Sequence, residues 1–165
     1  MFEKVNVRID PLATDNNCYN NCLAKMERNG GDVVVGWRRT PATTPTRQGV
    51  LLASLDHHAV WRSPTGELID ISPRVALKGD QLLTGIVDSE IDFEPEPEAT
   101  FDAEGRALPS RYVPLACDTF GLLQQACNWA NRAAGHESAR RADKAAYANR
   151  KVKQLLEQHV NRSNS

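Results

Sequence analysis

Long hydrophobic runs are missing from this chain. Among its 165 residues no uninterrupted apolar stretch exceeds the length of Val50-Leu51-Leu52-Ala53, far below the roughly 18–20 residues that a membrane-spanning helix needs. No membrane contact is expected. The amino terminus, MFEKVNVRIDP, lacks a basic segment followed by an apolar one, so no secretory signal is expected and the cytoplasm is the expected compartment. Neither sign of charge dominates, with 20 Lys and Arg against 21 Asp and Glu, and this argues against a dedicated nucleic-acid binder. Aromatics are scarce at 6%, and no internal repeat is visible. These absences exclude collagen-like, coiled-coil and transmembrane classes. Nothing in the sequence fixes an oligomeric state.

What is present divides the chain by composition. Residues 1–93 carry alternating apolar patterns and most of the turn signals. Residues 94–106, EPEPEATFDAEGR, hold five acids, two prolines and a glycine and read as an acidic linker or loop. Residues 107–165 read as a helical extension with a basic tail, since from Arg132 onward eight Lys and Arg face three Asp and Glu. In the first part, Val5, Val7 and Ile9 alternate as in a strand. A helix is expected to start near Cys18 and to stop at Gly30-Gly31. DVVVGW, VLLASLDHHAVW and ELIDIS read as strands separated by the TPATTPTRQG loop and the SPTG turn. The pattern is α+β: an N-terminal helix packed on a small antiparallel sheet, followed by helices. In the extension, Phe120, Leu123, Cys127 and Ala130 share one helical face. Residues 137–160 are expected to form a further helix that contributes little burial.

Four cysteines admit a disulfide framework, a metal site or a nucleophile. In a reducing compartment disulfides are rare, so all four read as thiols. Cys18 stands out because it falls in the first turn of its helix, where unpaired N–H groups and the helix dipole favour a thiolate. Cys22, one turn on, reads as core, and Cys117 and Cys127 read as packing residues.

The partner histidine is decided by the turn. Ser63-Pro64-Thr65-Gly66-Glu67 suits a three-residue hairpin loop, with Pro64 starting a type I turn and Gly66 in the left-handed position. Ser63 then faces Glu67, Val60 faces Asp70 and His58 faces Ser72. His58 and Asp70 share a face and lie diagonally within reach. A two-residue loop would shift the register by one and bring His57 forward instead. His57 is expected on the opposite face, at the surface.

A helix-borne Cys, then His on a strand, then Asp on the next strand resembles the chain order of papain-like and transglutaminase-like cysteine enzymes. The segment HAVWRSPTGELIDISP is similar to the transglutaminase-type pattern, in which His begins one strand and Asp-x-[ST]-Pro ends the next. GGDVVVGW with HHAVWRSPTGELIDISP also resembles a recurrent bacterial protein family of unassigned function. The likeness spans roughly residues 14–75. It departs from the pattern in two places: no Trp-Cys pair precedes the helix, and the helix is short. The resemblance implies a papain/transglutaminase-like core with Cys18 as nucleophile, His58 as general base and then acid, and Asp70 orienting the imidazole. It also implies an oxyanion hole made by the Cys18 backbone N–H with Asn16, Asn17 or Asn21. The reaction would be hydrolysis or transfer at an amide, peptide or ester bond of a protein or peptide-like substrate, without cofactor or metal.

Two other readings compete. Zinc on Cys18, Cys22, His57 and His58 is disfavoured, because adjacent strand residues point to opposite faces and the histidine spacing misses the usual ligand pattern. A non-enzymatic protein-binding module on the same scaffold, sequestering a macromolecular partner, is the alternative from a different class. A reactive Cys18 thiol separates it from the enzyme.

Overall fold

The computed structural model describes residues 1–41, 45–46, 49–73, 75–78, 81–84, 89–115, 118 and 121–163. In chain order the elements are β1 (Glu3–Val7), α1 (Cys18–Asn29), β2 (Asp32–Pro41), β3 (Pro45–Thr46), β4 (Gly49–Val50), β5 (Leu52–Arg62) and β6 (Leu68–Asp70). They continue with β7 (Val75–Lys78), β8 (Gln81–Thr84), β9 (Glu90–Pro95), β10 (Arg111–Pro114), α2 (Leu122–Ser138) and α3 (Ala142–Ser163). The small antiparallel pairs β3–β4 and β7–β8 stand apart from the main sheet. The chain forms two compact units, Met1–Arg39 with His57–Pro109, and Thr40–Asp56 with Ser110–Ser165. Phe120 and Cys117 lie outside the described residues.

The first unit is a closed barrel with one helix. Its strands run in the order β5-β2-β9-β1-β6, and β6 pairs back onto β5. The expected small antiparallel sheet is corrected here: the sheet is a mixed barrel, because β1 runs parallel to β6 through Asn6↔Ile69 and Val7↔Asp70. Closure requires β9, which pairs antiparallel with both β1 and β2. Strand alternation gives the barrel two apolar faces. Val5, Val34, Val60, Ile91 and Phe93 form one buried cluster. On the other face Ala59, Trp61, Ile69 and Ile71 pack with Cys22 of α1, joined by Cys18, Tyr19, Val33, Val35 and Phe101. Residues 94–106 belong to this unit. Glu94 and Pro95 finish β9, the Glu96 N–H donates to the Val35 carbonyl at 3.0 Å, and Ala99 is buried.

Salt bridges tie α1 down. The Asp10 carboxylate takes Lys25 and Arg28 at 2.9 Å each, and the Asp10 N–H donates to the Ile71 carbonyl at 3.0 Å. The backbone N–H of Leu12 and these two cations hold the Asp10 carboxyl below its ordinary range. The helix stops where expected, with Gly30 at φ 73° and its N–H on the Met26 carbonyl.

In the second unit β10 pairs antiparallel with residues 52–55 of β5. The helices α2 and α3 pack together around Leu51, Leu52, Leu123, Ala126, Cys127, Ala130, Val152 and Leu156. The tail therefore contributes more burial than its composition suggests, since Val152 and Leu156 sit in this core while Tyr147 faces outward. Removal of residues 142–165 is expected to cost the second unit at least ~3–6 kcal/mol, at about 1.5–3 kcal/mol per buried aliphatic. Calorimetry of the shortened chain should show the second unit's transition lost and the barrel's retained. An unchanged melting profile would contradict this account.

Candidate active site

Cys18 is the first helical residue of α1. The approach to it is set by Asn16, whose backbone takes φ 54°, a left-handed conformation that Asn tolerates better than most residues. Asn17 occupies the capping position without capping. Its Nδ2 donates to Thr14 Oγ1 at 3.3 Å, and its Oδ1 accepts from Asn20 Nδ2 at 2.7 Å. No side chain therefore closes off the first backbone N–H groups of the helix, and the positive end of its dipole is left at Cys18.

β5 and β6 bring the other two residues. Their register, Trp61↔Ile69 and Arg62↔Leu68, is the one that the three-residue loop dictates. The Ser63 N–H donates to the Glu67 carbonyl at 2.9 Å, and Gly66 takes φ 91°. His58 thus shares its face of β5 with Val60, and Asp70 its face of β6 with Leu68. His58 Nε2 lies 3.0 Å from Asp70 Oδ2, a short contact off the line of an ideal hydrogen bond. Asp70 is 0% exposed, and its Oδ1 accepts the Ser72 N–H at 3.2 Å.

The thiol of Cys18 is hydrogen-bonded to His58 and receives the backbone N–H of Ala59. Burial pushes this thiol upward, but the His58 hydrogen bond, the imidazolium charge and the Ala59 N–H outweigh it. Its pKa falls below the ordinary 9.0. Burial pulls His58 the other way, toward the neutral form. The contacts with Asp70 and Cys18 prevail, and its pKa rises above 6.5. A lowered thiol against a raised imidazole favours a thiolate–imidazolium pair. The other thiols behave oppositely. Burial drives Cys22 far up and Cys127 up to about 11.

A cleft of about 290 Å³ opens over this group, lined by Asn16, Asn17, Cys18, Arg38, His57, His58, Ser72, Pro73 and Ala107. Asn16 and Asn17 are thus beside the nucleophile. Asn21 is placed otherwise. It is buried, its Oδ1 accepts the Thr14 N–H at 2.9 Å, and its Nδ2 donates to the Thr14 carbonyl at 2.8 Å and lies 3.3 Å from Ser72 Oγ. That arrangement braces the loop before α1 against Ser72, two residues beyond Asp70.

His57 corrects the sequence reading. It is 6% exposed rather than at the surface. Its Nδ1 accepts the Leu108 N–H at 3.0 Å, so Nε2 carries the proton and donates to the Ala99 carbonyl. Its ring stacks on Phe101 at 4.1 Å, and Phe101 stacks on Tyr19 of α1 at 4.7 Å. Burial lowers its pKa. His57 is a neutral strut joining β5 to the loop of residues 99–108. Among the described residues no cluster of three or more His, Cys, Asp or Glu side chains is arranged to hold a metal.

Sequence reasoning missed Arg38. The DVVVGW pattern predicts a strand ending at Trp37, whereas β2 runs to Pro41. Alternation continued from Val34 and Gly36 would have reached it. Comparison with protein-family models, with curated proteins and with solved structures finds no match to this chain.

Proposed function

We propose that the chain is a cysteine-dependent hydrolase or acyltransferase acting on amide, peptide or ester bonds. One observation carries the reading: a pKa-lowered thiol at an uncapped helix start, hydrogen-bonded to a histidine that is backed at 3.0 Å by a fully buried aspartate. Each part has a role. The Cys18 thiolate attacks the carbonyl carbon, forming the S–C bond and moving the carbonyl pair onto oxygen. The Cys18 N–H at the helix start, with an Asn16 or Asn17 donor, stabilises that oxyanion. His58 passes its proton to the leaving amine or alcohol as the C–N or C–O bond breaks, which leaves a thioester. A water or an acceptor nucleophile then gives its proton to His58 and displaces Cys18. Asp70 holds the imidazole and stabilises its charged form throughout.

Alkylation tests the reading without a known substrate. An ordinary thiol near 9.0 is only about 1% thiolate at pH 7. Cys18 should therefore react with iodoacetamide at pH 7 well ahead of Cys22 and Cys127. Its rate should rise with pH through a midpoint below that of a free thiol, as the lowered pKa requires. His58→Ala should move that midpoint upward and slow labelling at pH 7 by about tenfold or more. Equal, slow labelling of the thiols that ignores His58→Ala would leave a binding module as the better reading.

A further inference from the structure

We propose that Asn21 is a positioning residue for the reaction, fixing Cys18 against the His58–Asp70 pair by tying the loop before α1 to Ser72. The inference rests on the catalytic reading of Cys18 and adds to it what holds the reacting groups in place. The Asn21 side chain is buried, and backbone on one side sets the orientation of its amide. Oδ1 accepts the Thr14 N–H at 2.9 Å, and Nδ2 donates to the Thr14 carbonyl at 2.8 Å. The second Nδ2 proton is directed at Ser72 Oγ, 3.3 Å away. A side-chain amide has two N–H donors, so Asn21 has none left to offer an oxyanion.

These bonds close a ring through the site. Cys18 is hydrogen-bonded to His58, and His58 lies 3.0 Å from Asp70. Asp70 Oδ1 accepts the Ser72 N–H at 3.2 Å, and Ser72 Oγ meets Asn21, three residues beyond Cys18 on α1. Ser72, like Cys18 and His58, lines the cleft. His58, Asp70, Ser72 and Asn21 are each at most 7% exposed, so water does not readily replace a lost link. The far end of α1 is anchored separately, where Lys25 and Arg28 reach Asp10 at 2.9 Å each. Tyr19 and Cys22 press the helix onto the barrel through apolar contacts, which are non-directional and do not fix its angle. Cys18 lies about 10 Å from Lys25 along the axis, so a tilt of about 6° about that anchor moves it by about 1 Å. Misplacement on that scale is enough to cost catalysis about 10²-fold. Asn21 supplies a directional contact at the nucleophile's end of the helix.

The pH profile of Cys18 alkylation by iodoacetamide tests this on the full chain. Asn21→Ala should move the midpoint upward and slow labelling at pH 7 by about three- to tenfold, the scale of one lost hydrogen bond or two. Ser72→Ala, which removes the hydroxyl and keeps the N–H that Asp70 accepts, should give a smaller shift in the same direction. Neither change should add to His58→Ala, because Asn21 acts on the thiol through His58. A purely structural Asn21 would lower the urea midpoint and leave the Cys18 profile where it was, which would overturn the proposal. A shift of full size in the His58→Ala background would overturn it as well. An unchanged profile in Ser72→Ala overturns it too, even if Asn21→Ala does not fold. In each of these outcomes the catalytic reading stands as long as the wild-type midpoint lies below that of a free thiol and moves with His58→Ala. A wild-type profile like that of an ordinary thiol, indifferent to His58→Ala, overturns both.

Discussion

Cys18→Ala is expected to give a folded protein with no acyl-transfer activity, a loss of at least ~10⁴-fold, because no other thiol among the described residues lines the cleft. Cys22 is one helical turn away in an apolar cluster, and burial drives its pKa far up. His58→Ala should cost about 10²–10⁴-fold, the range for a general base, and more if loss of the imidazolium also returns the thiol to its protonated form. Asp70→Asn should fall between His58→Ala and wild type. It keeps the shape of the buried site and the Ser72 contact but removes the charge that raises His58. A packing role gives a different order: Cys18→Ala would cost a little stability, and His58→Gln would be tolerated. Turnover of a model ester or thioester, with circular dichroism as the folding control, distinguishes the two orders. Full activity in Cys18→Ala would end the catalytic account.

Gly36→Ala is expected to be strongly damaging to the barrel. A Cβ at Gly36 would lie 2.2 Å from the Glu94 carbonyl oxygen and 2.9 Å from Cζ of Phe93. The first obstacle is strand backbone paired at Gly36↔Pro95, and the second is a ring at 0% exposure in the barrel's own cluster. Neither can move without parting β2 from β9. Overpacking of a tight interior costs about 1–3 kcal/mol, and more where backbone must shift. The expected loss is at the upper end of that range or beyond, read as a lowered urea midpoint. Gly135→Ala in α2 supplies the opposite sign. Nothing lies within 4 Å of its added Cβ, so removing helical glycine should stabilise by up to about 1 kcal/mol. An unchanged midpoint for Gly36→Ala would mean that β9 yields easily at this crossing.

The parts of the fold that local chemistry controls were legible. Pro64 and Gly66 define the loop length, which defines the register and so the choice of His58 over His57. Gly30-Gly31 marks the end of α1, and Cys18 falls at its start. What could not be read depends on partners distant in sequence. β9 is hidden in EIDFEPEPE because only Ile91 and Phe93 betray its buried face. Its acids are used at the barrel surface, where Asp92 receives Lys4 at 2.7 Å and Arg39 at 3.0 Å. The burial of His57 comes from Ala99 and Leu108, some 40–50 residues later in the chain. The division into two units runs through strands, since β2 and β5 each contribute residues to both. Composition alone carries none of this.

The place of β9 between β1 and β2 has a consequence in time. β1 has no antiparallel neighbour until residues 90–95 have been made. At roughly 5–20 residues per second, β1 waits several seconds with Val5 and its edge uncovered. The β5–β6 hairpin, being local, can form in microseconds once synthesised. His58 and Asp70 are therefore paired early, while the strand that carries Arg38 gains its β9 neighbour only at closure. A nascent chain halted before Glu90 should hold the hairpin but no barrel, and it should be a target for chaperones that bind exposed strand edges.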